Sequence, residues 1–322
     1  MHGHQSNIVK RERRQSDSEN EIQMPTTRTL QMLDTKDQII QYVTDLPTAS
    51  PIMISVIDQE SIMFGHNWLC NVQDFNVYDK VILLATDILD ASFYKRWPSV
   101  QVFNIQDRLK LTNNSRGLQI DIDRTVSRIV KSILHMNHSV LMFSIKSVWF
   151  QDAATLIHHS VEKYNLKDVV TSFLDEKSKI FDFYFTYFKS TRAMMELLDH
   201  YETILQGMQE RLNDPSKNNV PNSENQRNYF SQLLHQRYAR VKYSVYPSFK
   251  VADSTLYHDF NGTNDTTDIS QLHVLRCYSL ENKRNMKEVM NTHGHWFIDN
   301  NYNCNYDKVV KAEKSVWNLK TN

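Results

Sequence analysis

Glycine is scarce, at six residues in a chain of 322. Loops that cradle phosphates lean on glycine because the backbone must come close to the ligand. Neither GxGxxG nor GxxxxGK(S/T) occurs, which excludes the dinucleotide fingerprint and the P-loop. Cysteine is thinner still: Cys70, Cys277 and Cys304. An odd, sparse set argues against a disulfide framework and leaves room for one bridge. No CxxC or HExxH spacing points to zinc. Net charge is also missing, since 37 Lys+Arg offset 37 Asp+Glu. That leaves no electrostatic footprint for nucleic acid or an anionic membrane. No apolar run reaches the roughly 18 residues of a transmembrane helix. The polar stretch from Met1 to Glu21 lacks the apolar segment of a signal peptide.

What is present suits one large α/β domain. Hydrophobic residues make up 40% and aromatic residues 11%, enough for a sizeable core. Residues 1–33 are rich in Gln, Ser, Arg and Glu, have no periodicity and read as a disordered tail. The basic cluster Lys10-Arg11-Glu12-Arg13-Arg14 within it reads as solvated. From there, residues 34–322 form the predicted domain. Apolar runs at Ile52–Ile57, Val81–Thr86, Val100–Ile105 and Ser139–Phe143 read as buried strands, with Ser147–Trp149 continuing the last beyond a polar break. Helical patterns over Ser61–Phe75, Asp90–Trp97 and Asp121–Met136 alternate with them, which predicts a mostly parallel sheet with helices on both faces. In such sheets ligands sit beyond the carboxyl ends of the strands, where Asp58, Asp87 and Ser144–Lys146 fall.

Farther on, Asp168–Asp175 and the aromatic Lys179–Lys189 read as strands. Thr191–Leu212 reads as a helix capped by Thr191, and Asn213–Ser223 as a polar loop. Helices follow at Glu224–Tyr238, Glu281–Asn291 and Tyr306–Trp317, and strands at Arg240–Tyr246 and His273–Tyr278. Asp253–Asp268 reads as a loop.

Four segments in order carry a family resemblance. Asn67-Trp68-Leu69-Cys70, followed by the strand ending at Asp87, is the first. The second is Ser139-Val140-Leu141-Met142-Phe143-Ser144-Ile145-Lys146-Ser147-Val148-Trp149. The third is Asn225-Gln226 with Tyr229-Phe230, Leu233-Leu234, Pro247 and Phe249. The fourth is Asp299-Asn300-Asn301-Tyr302 with Asn305, Asp307-Lys308-Val309 and Trp317. Together they resemble the nucleotide-diphospho-sugar transferase domain: its opening βαβ unit, its "VLFSDxDxVW", its "DQ…fN…LP…F" and its closing "HNNYxxGxxxKI…W". The resemblance implies a glycosyltransferase A-like fold, a nucleotide-sugar partner such as a UDP-sugar, and sugar transfer to an acceptor hydroxyl. It also implies an Mn²⁺ ion bridging the diphosphate to an Asp-x-Asp motif, and a Golgi-lumenal enzyme with a membrane anchor. No anchor is legible in this chain.

The chain departs from that pattern at its site. Ser144 and Lys146 stand where Asp-x-Asp would be; serine is a poor neutral ligand and lysine repels a cation. Asp299 replaces the closing His, Asn305 a Gly, and Asn225 the Asp of the "DQ" pair. No metal cofactor is therefore expected, and the site reads as degenerate. The alternatives are a metal-independent transferase in which the Lys146 ammonium faces the diphosphate, and an inactive interaction or regulatory protein on the same scaffold. The candidate nucleotide-sugar residues are Asp87, Ser144, Lys146, Asn225, Gln226, Asp299, Asn301 and Lys308. His293-Gly294-His295 is a weak metal candidate without a third ligand nearby. Tyr184 and Tyr187 could stack on a sugar if exposed.

Overall fold

The computed structural model describes residues 35–109, 115–164, 167–175, 177–212, 224–247, 250–253, 272–277 and 283–318. The tail read over residues 1–33, the loop at Asn213–Ser223 and nearly all of Asp253–Asp268 lie outside the described residues. In chain order the elements are α1 (Thr35–Thr44), β1 (Ile52–Ile57), α2 (Ile62–Asn71), β2 (Val81–Ala85), α3 (Ala91–Arg96), β3 (Gln101–Asn104), α4 (Ser115–His135), β4 (Val140–Met142), β5 (Ser147–Trp149) and α5 (Ala153–Tyr164). They continue with β6 (Val169–Asp175), β7 (Ile180–Phe188), α6 (Arg192–Leu212), α7 (Glu224–His235), β8 (Tyr243–Val245), β9 (Val251–Asp253), β10 (Val274–Arg276), α8 (Lys283–Thr292) and α9 (Tyr306–Asn318).

The main sheet has seven strands in the order β3-β2-β1-β4-β7-β6-β8. The first four run parallel, β7 is antiparallel to both β4 and β6, and β6 and β8 are parallel. This is the mixed, mostly parallel sheet that the alternating pattern predicts. Its central strands are apolar throughout because both faces are covered. Side chains alternate along β1: Ile52 and Ile54 join the core under α1, α4, α6 and α7, while Met53 and Ile57 join the one under α2, α3 and α5.

The segment Ser147–Trp149 does not extend β4. It forms β5, antiparallel to β10 in a separate sheet of order β5-β10-β9. A polar turn diverts the chain: Ser147 Oγ donates to the Ser144 carbonyl at 2.6 Å, and Lys146 N–H donates to Ser144 Oγ at 3.2 Å. Hydrophobicity alone cannot see that turn. The short helix α1 and the three-residue β9 have no counterpart in the sequence reading.

Buried amides on α2 hold the distant parts together. Asn71 exchanges two hydrogen bonds with the Trp149 backbone, at 2.6 and 2.9 Å. Asn67 accepts from Phe297 N–H at 2.6 Å and donates to the His295 carbonyl at 3.2 Å. Between them Trp68 packs edge-on to Trp149 and against Phe143. Thus the Asn67-Trp68-Leu69-Cys70 stretch is a structural hub. Buried polar groups persist in cores where they are paired in this way. Cys70 completes the hub with a disulfide to Cys304. The one bridge left open by the cysteine count is therefore formed, and Cys277 remains a buried thiol.

Candidate functional site

Between β1 and β4 the order of strands reverses, because the chain winds outward through β2 and β3 and then returns. Such a switch point leaves a crevice at the carboxyl ends of the strands. Here it is a cavity of about 220 Å³. Ser55, Val56 and Asp58 come from the end of β1, Thr86 from the end of β2, and Ser144, Ile145 and Lys146 from the turn after β4. Gln119 and Ile122 of α4 and Asp182 and Tyr184 of β7 supply the opposite wall. A ligand cavity for a drug-sized molecule spans roughly 300–1,000 Å³, so this one is too small to enclose a whole ligand of that size.

The walls are cross-tied. Asp58 caps the short turn at Gln59–Ser61: its Oδ1 accepts from Ser61 N–H at 2.6 Å, while its own N–H donates to Ser61 Oγ at 3.0 Å. Asp87 Oδ1 accepts from Gln59 N–H at 2.8 Å, joining the loops after β1 and β2. Tyr184 donates its hydroxyl to Asp123 at 2.5 Å, and Gln119 donates to the same carboxylate at 2.9 Å. Asp182 is buried and ion-paired: Arg276 Nη1 reaches its Oδ2 at 2.9 Å and Ser172 Oγ at 3.0 Å.

The sequence-derived candidates fall in three places. Ser144 and Lys146 line the cavity, with Asp87 next to the lining residue Thr86. Asp299, Asn301 and Lys308 belong to the closing segment. There Asp299 accepts from the backbone N–H groups of Asn301 and Asn303 and from the Asn303 amide. Those bonds hold its carboxyl below the usual range. The Asn301 carbonyl accepts from Arg96, and Lys308 Nζ donates to the Trp296 carbonyl at 3.2 Å. None of these three is among the residues lining the cavity. Asn225 and Gln226 sit in the first turn of α7, and their side chains lie outside the described residues.

Tyr187 is fully buried, its hydroxyl 2.8 Å from His158 Nδ1, so it has no face for a sugar. Tyr184 is half-buried on the cavity wall. Sequence reasoning passed over Ser55, Gln119, Asp182 and Arg276. Their only signal is a polar residue inside an otherwise apolar strand, or on the inner face of an amphipathic helix.

The donor set does not fit a hard divalent cation, which needs several carboxylate or carbonyl oxygens. At the cavity, Asp182 is matched by Arg276, Asp58 caps a turn, and Ser144 Oγ accepts from the N–H of Lys146. Among the described residues no three His, Cys, Asp or Glu side chains are grouped to hold a metal.

The closing segment sets a pH dependence. His66 packs flat on Tyr302, accepts from Trp97 Nε1 at 2.9 Å and is buried. Burial, with Arg96 nearby and Asp90 opposing, lowers its pKa to about 4. Burial, then His293, lowers His295 to about 4 as well. Both stay neutral in the fold but take up protons in the unfolded chain below about pH 6.5. The contribution of these two histidines to stability is therefore greatest above that value, falls as pH drops from 6.5 toward 4, and levels off below. Melting midpoints measured across this range should decline; a flat profile between pH 6.5 and 4 contradicts the assignment.

Neither a family model nor a curated protein matches the sequence. Several solved glycosyltransferases are similar in overall fold. One, involved in glycosylation of the major capsid of PBCV-1, is 9% identical, with a TM-score of 0.40 over 75% of this chain and 100% of that one. The galactosyltransferase LgtC, solved with donor and acceptor sugar analogs, is 10% identical, with a TM-score of 0.43 over 74% and 95%. GlyE of Streptococcus pneumoniae is 12% identical, with a TM-score of 0.44 over 83% and 65%. At TM-scores below 0.5 nothing about this chain's chemistry follows from them.

Proposed function

We propose that this protein is a glycosyltransferase-like nucleotide-sugar binder whose site works, or once worked, without a metal ion. The observation that carries the reading is the cavity at the β1/β4 switch point with Ser144 and Lys146 on its wall. A nucleotide diphosphate leaving a sugar gains negative charge. Lys146 offers an ammonium to that charge at the position where a metal-dependent site has carboxylates. Asp87, Asn225, Gln226, Asp299, Asn301 and Lys308 belong to this proposal by resemblance alone.

A second reading is a protein that binds the ligand, or a partner, without turnover. It is favoured by the occupation of the cavity carboxylates: Asp58 holds a turn and Asp182 an arginine. Neither stands ready as a general base.

Thermal midpoints with UDP, with and without Mn²⁺, test the proposal. Stabilisation by UDP alone is expected, because a ligand that prefers the folded state raises the midpoint. Stabilisation only with Mn²⁺ sinks the metal-free site. Lys146→Ala should weaken UDP binding about tenfold while leaving the unliganded midpoint in place. Unchanged affinity removes the role of Lys146. Release of free sugar or transfer to an added acceptor separates the transferase from the non-catalytic binder.

A further inference from the structure

The Gln119 amide can face only one way. Gln119 lies in α4, one turn before Asp123, and both side chains bond to Tyr184 of β7. Gln119 Nε2 donates to Asp123 Oδ1 at 2.9 Å and to the Tyr184 hydroxyl oxygen at 3.3 Å. An ionised carboxylate only accepts, and the Tyr184 hydroxyl gives its hydrogen to Asp123. Both partners therefore require the NH2 end of the amide, and the carbonyl Oε1 is turned to the other side. Asp123 is 5% exposed, so this anchor is set inside the fold. Gln119 itself is half-buried and lines the cavity. Among the described residues nothing donates to its Oε1, yet that oxygen is not covered: it is open to solvent.

We infer that Gln119 is a specificity-determining residue of the cavity, whose fixed carbonyl oxygen accepts a hydrogen bond from an N–H or O–H of the ligand. The inference rests on the cavity being the ligand site, as proposed above. Solvent can complete the carbonyl of any exposed glutamine; what sets this one apart is that it cannot turn. A free glutamine offers a ligand either end of its amide, whereas this one offers the acceptor alone. An ionised phosphate has no hydrogen to give, so the diphosphate lies elsewhere, toward Lys146. The groups that fit are a ring N–H of the base or a hydroxyl of the ribose or the sugar. Asp123 is the positioning residue. It is not among the residues lining the cavity and acts by holding the amide.

The experiment titrates UDP and UDP-glucose calorimetrically into the full chain and into Gln119→Met. Methionine keeps the helix propensity and leaves the bond between Tyr184 and Asp123 in place. Affinity should fall about fivefold, the worth of one uncharged hydrogen bond. An equal loss for both probes assigns the contact to the nucleoside; a loss for UDP-glucose alone assigns it to the sugar. Asp123→Asn reads the same acceptor with Gln119 still present. Asparagine can donate as well as accept, so either end of the Gln119 amide can face it. Affinity should then fall about twofold, because roughly half of the molecules present the wrong end. Added to Gln119→Met, the same change should do nothing more, and a further loss there overturns the positioning role of Asp123. Binding of both probes unchanged by Gln119→Met overturns the inference while leaving the cavity as the nucleotide site. No binding of either probe to the wild type removes both.

Discussion

Breaking the Cys70–Cys304 bond should lower the melting midpoint by roughly 10 °C or more, the largest single effect expected in this protein. The bond joins α2 to the closing segment across 234 residues of sequence, with Cα atoms 5.6 Å apart. A cross-link that closes so long a loop removes much chain entropy from the unfolded state, about 5 kcal/mol by the chain-entropy account. The folded side of the balance changes little, because other contacts hold the same segments. Asn67 bonds to the backbone of His295 and Phe297, Arg96 reaches Asn301 and Asn303, and His66 stacks on Tyr302. The reduced protein should therefore keep its fold near room temperature and lose it on modest heating. Adding a reductant to the wild type leaves packing untouched. The Cys70→Ala/Cys304→Ala variant provides the permanent equivalent, and Cys277 is buried and offers no easy exchange partner. If oxidised, reduced and doubly substituted proteins melt within about 2 °C of one another, the cross-link has no such role.

Arg276→Met carries the second large effect, a loss of about 3–5 kcal/mol. The guanidinium of β10 in the small sheet reaches Asp182 and Ser172 in the main sheet, so it ties the two sheets together beside the cavity. Both members of the ion pair are under 10% exposed on their side chains. Removing the arginine strands a carboxylate in a low-dielectric interior, and that desolvated charge, more than the lost attraction, sets the cost. The companion variant Arg276→Met/Asp182→Leu removes both charges and should recover most of the stability. Denaturant midpoints of the two variants provide the test. A double variant as unstable as Arg276→Met would show that shape, and not the buried charge, controls this position. Loss of ligand affinity in the stable double variant would add that Asp182 takes part in binding.

The two effects bear differently on legibility. Cys70 and Cys304 are visible as candidates in the sequence, but their pairing depends on the last segment folding back over α2. Arg276 looks like an ordinary charge within a short apolar run, and nothing local places it opposite Asp182, which lies in the aromatic strand β7. Both contacts join elements far apart in the chain, and no period of two or 3.6 residues encodes such a meeting. By contrast, Thr191 was readable as a cap: its Oγ1 accepts from Met194 N–H at 3.2 Å at the start of α6. Capping is settled within one helical turn. The seeming continuation of β4 into Ser147–Trp149 shows the opposite case, in which two polar side chains redirect an apolar run into another sheet.

On its own, the sequence determined the order of most strands and helices, the burial of both faces of the central strands, and the absence of a carboxylate at Ser144 and Lys146. These are local properties, set by hydrophobic period and side-chain chemistry. The tertiary structure decided that Ser55, Ser144, Lys146 and Asp182 share one cavity while Asp299, Asn301 and Lys308 line none of it. That outcome depends on which strands become neighbours, and it is the reversal of winding between β1 and β4 that opens the crevice.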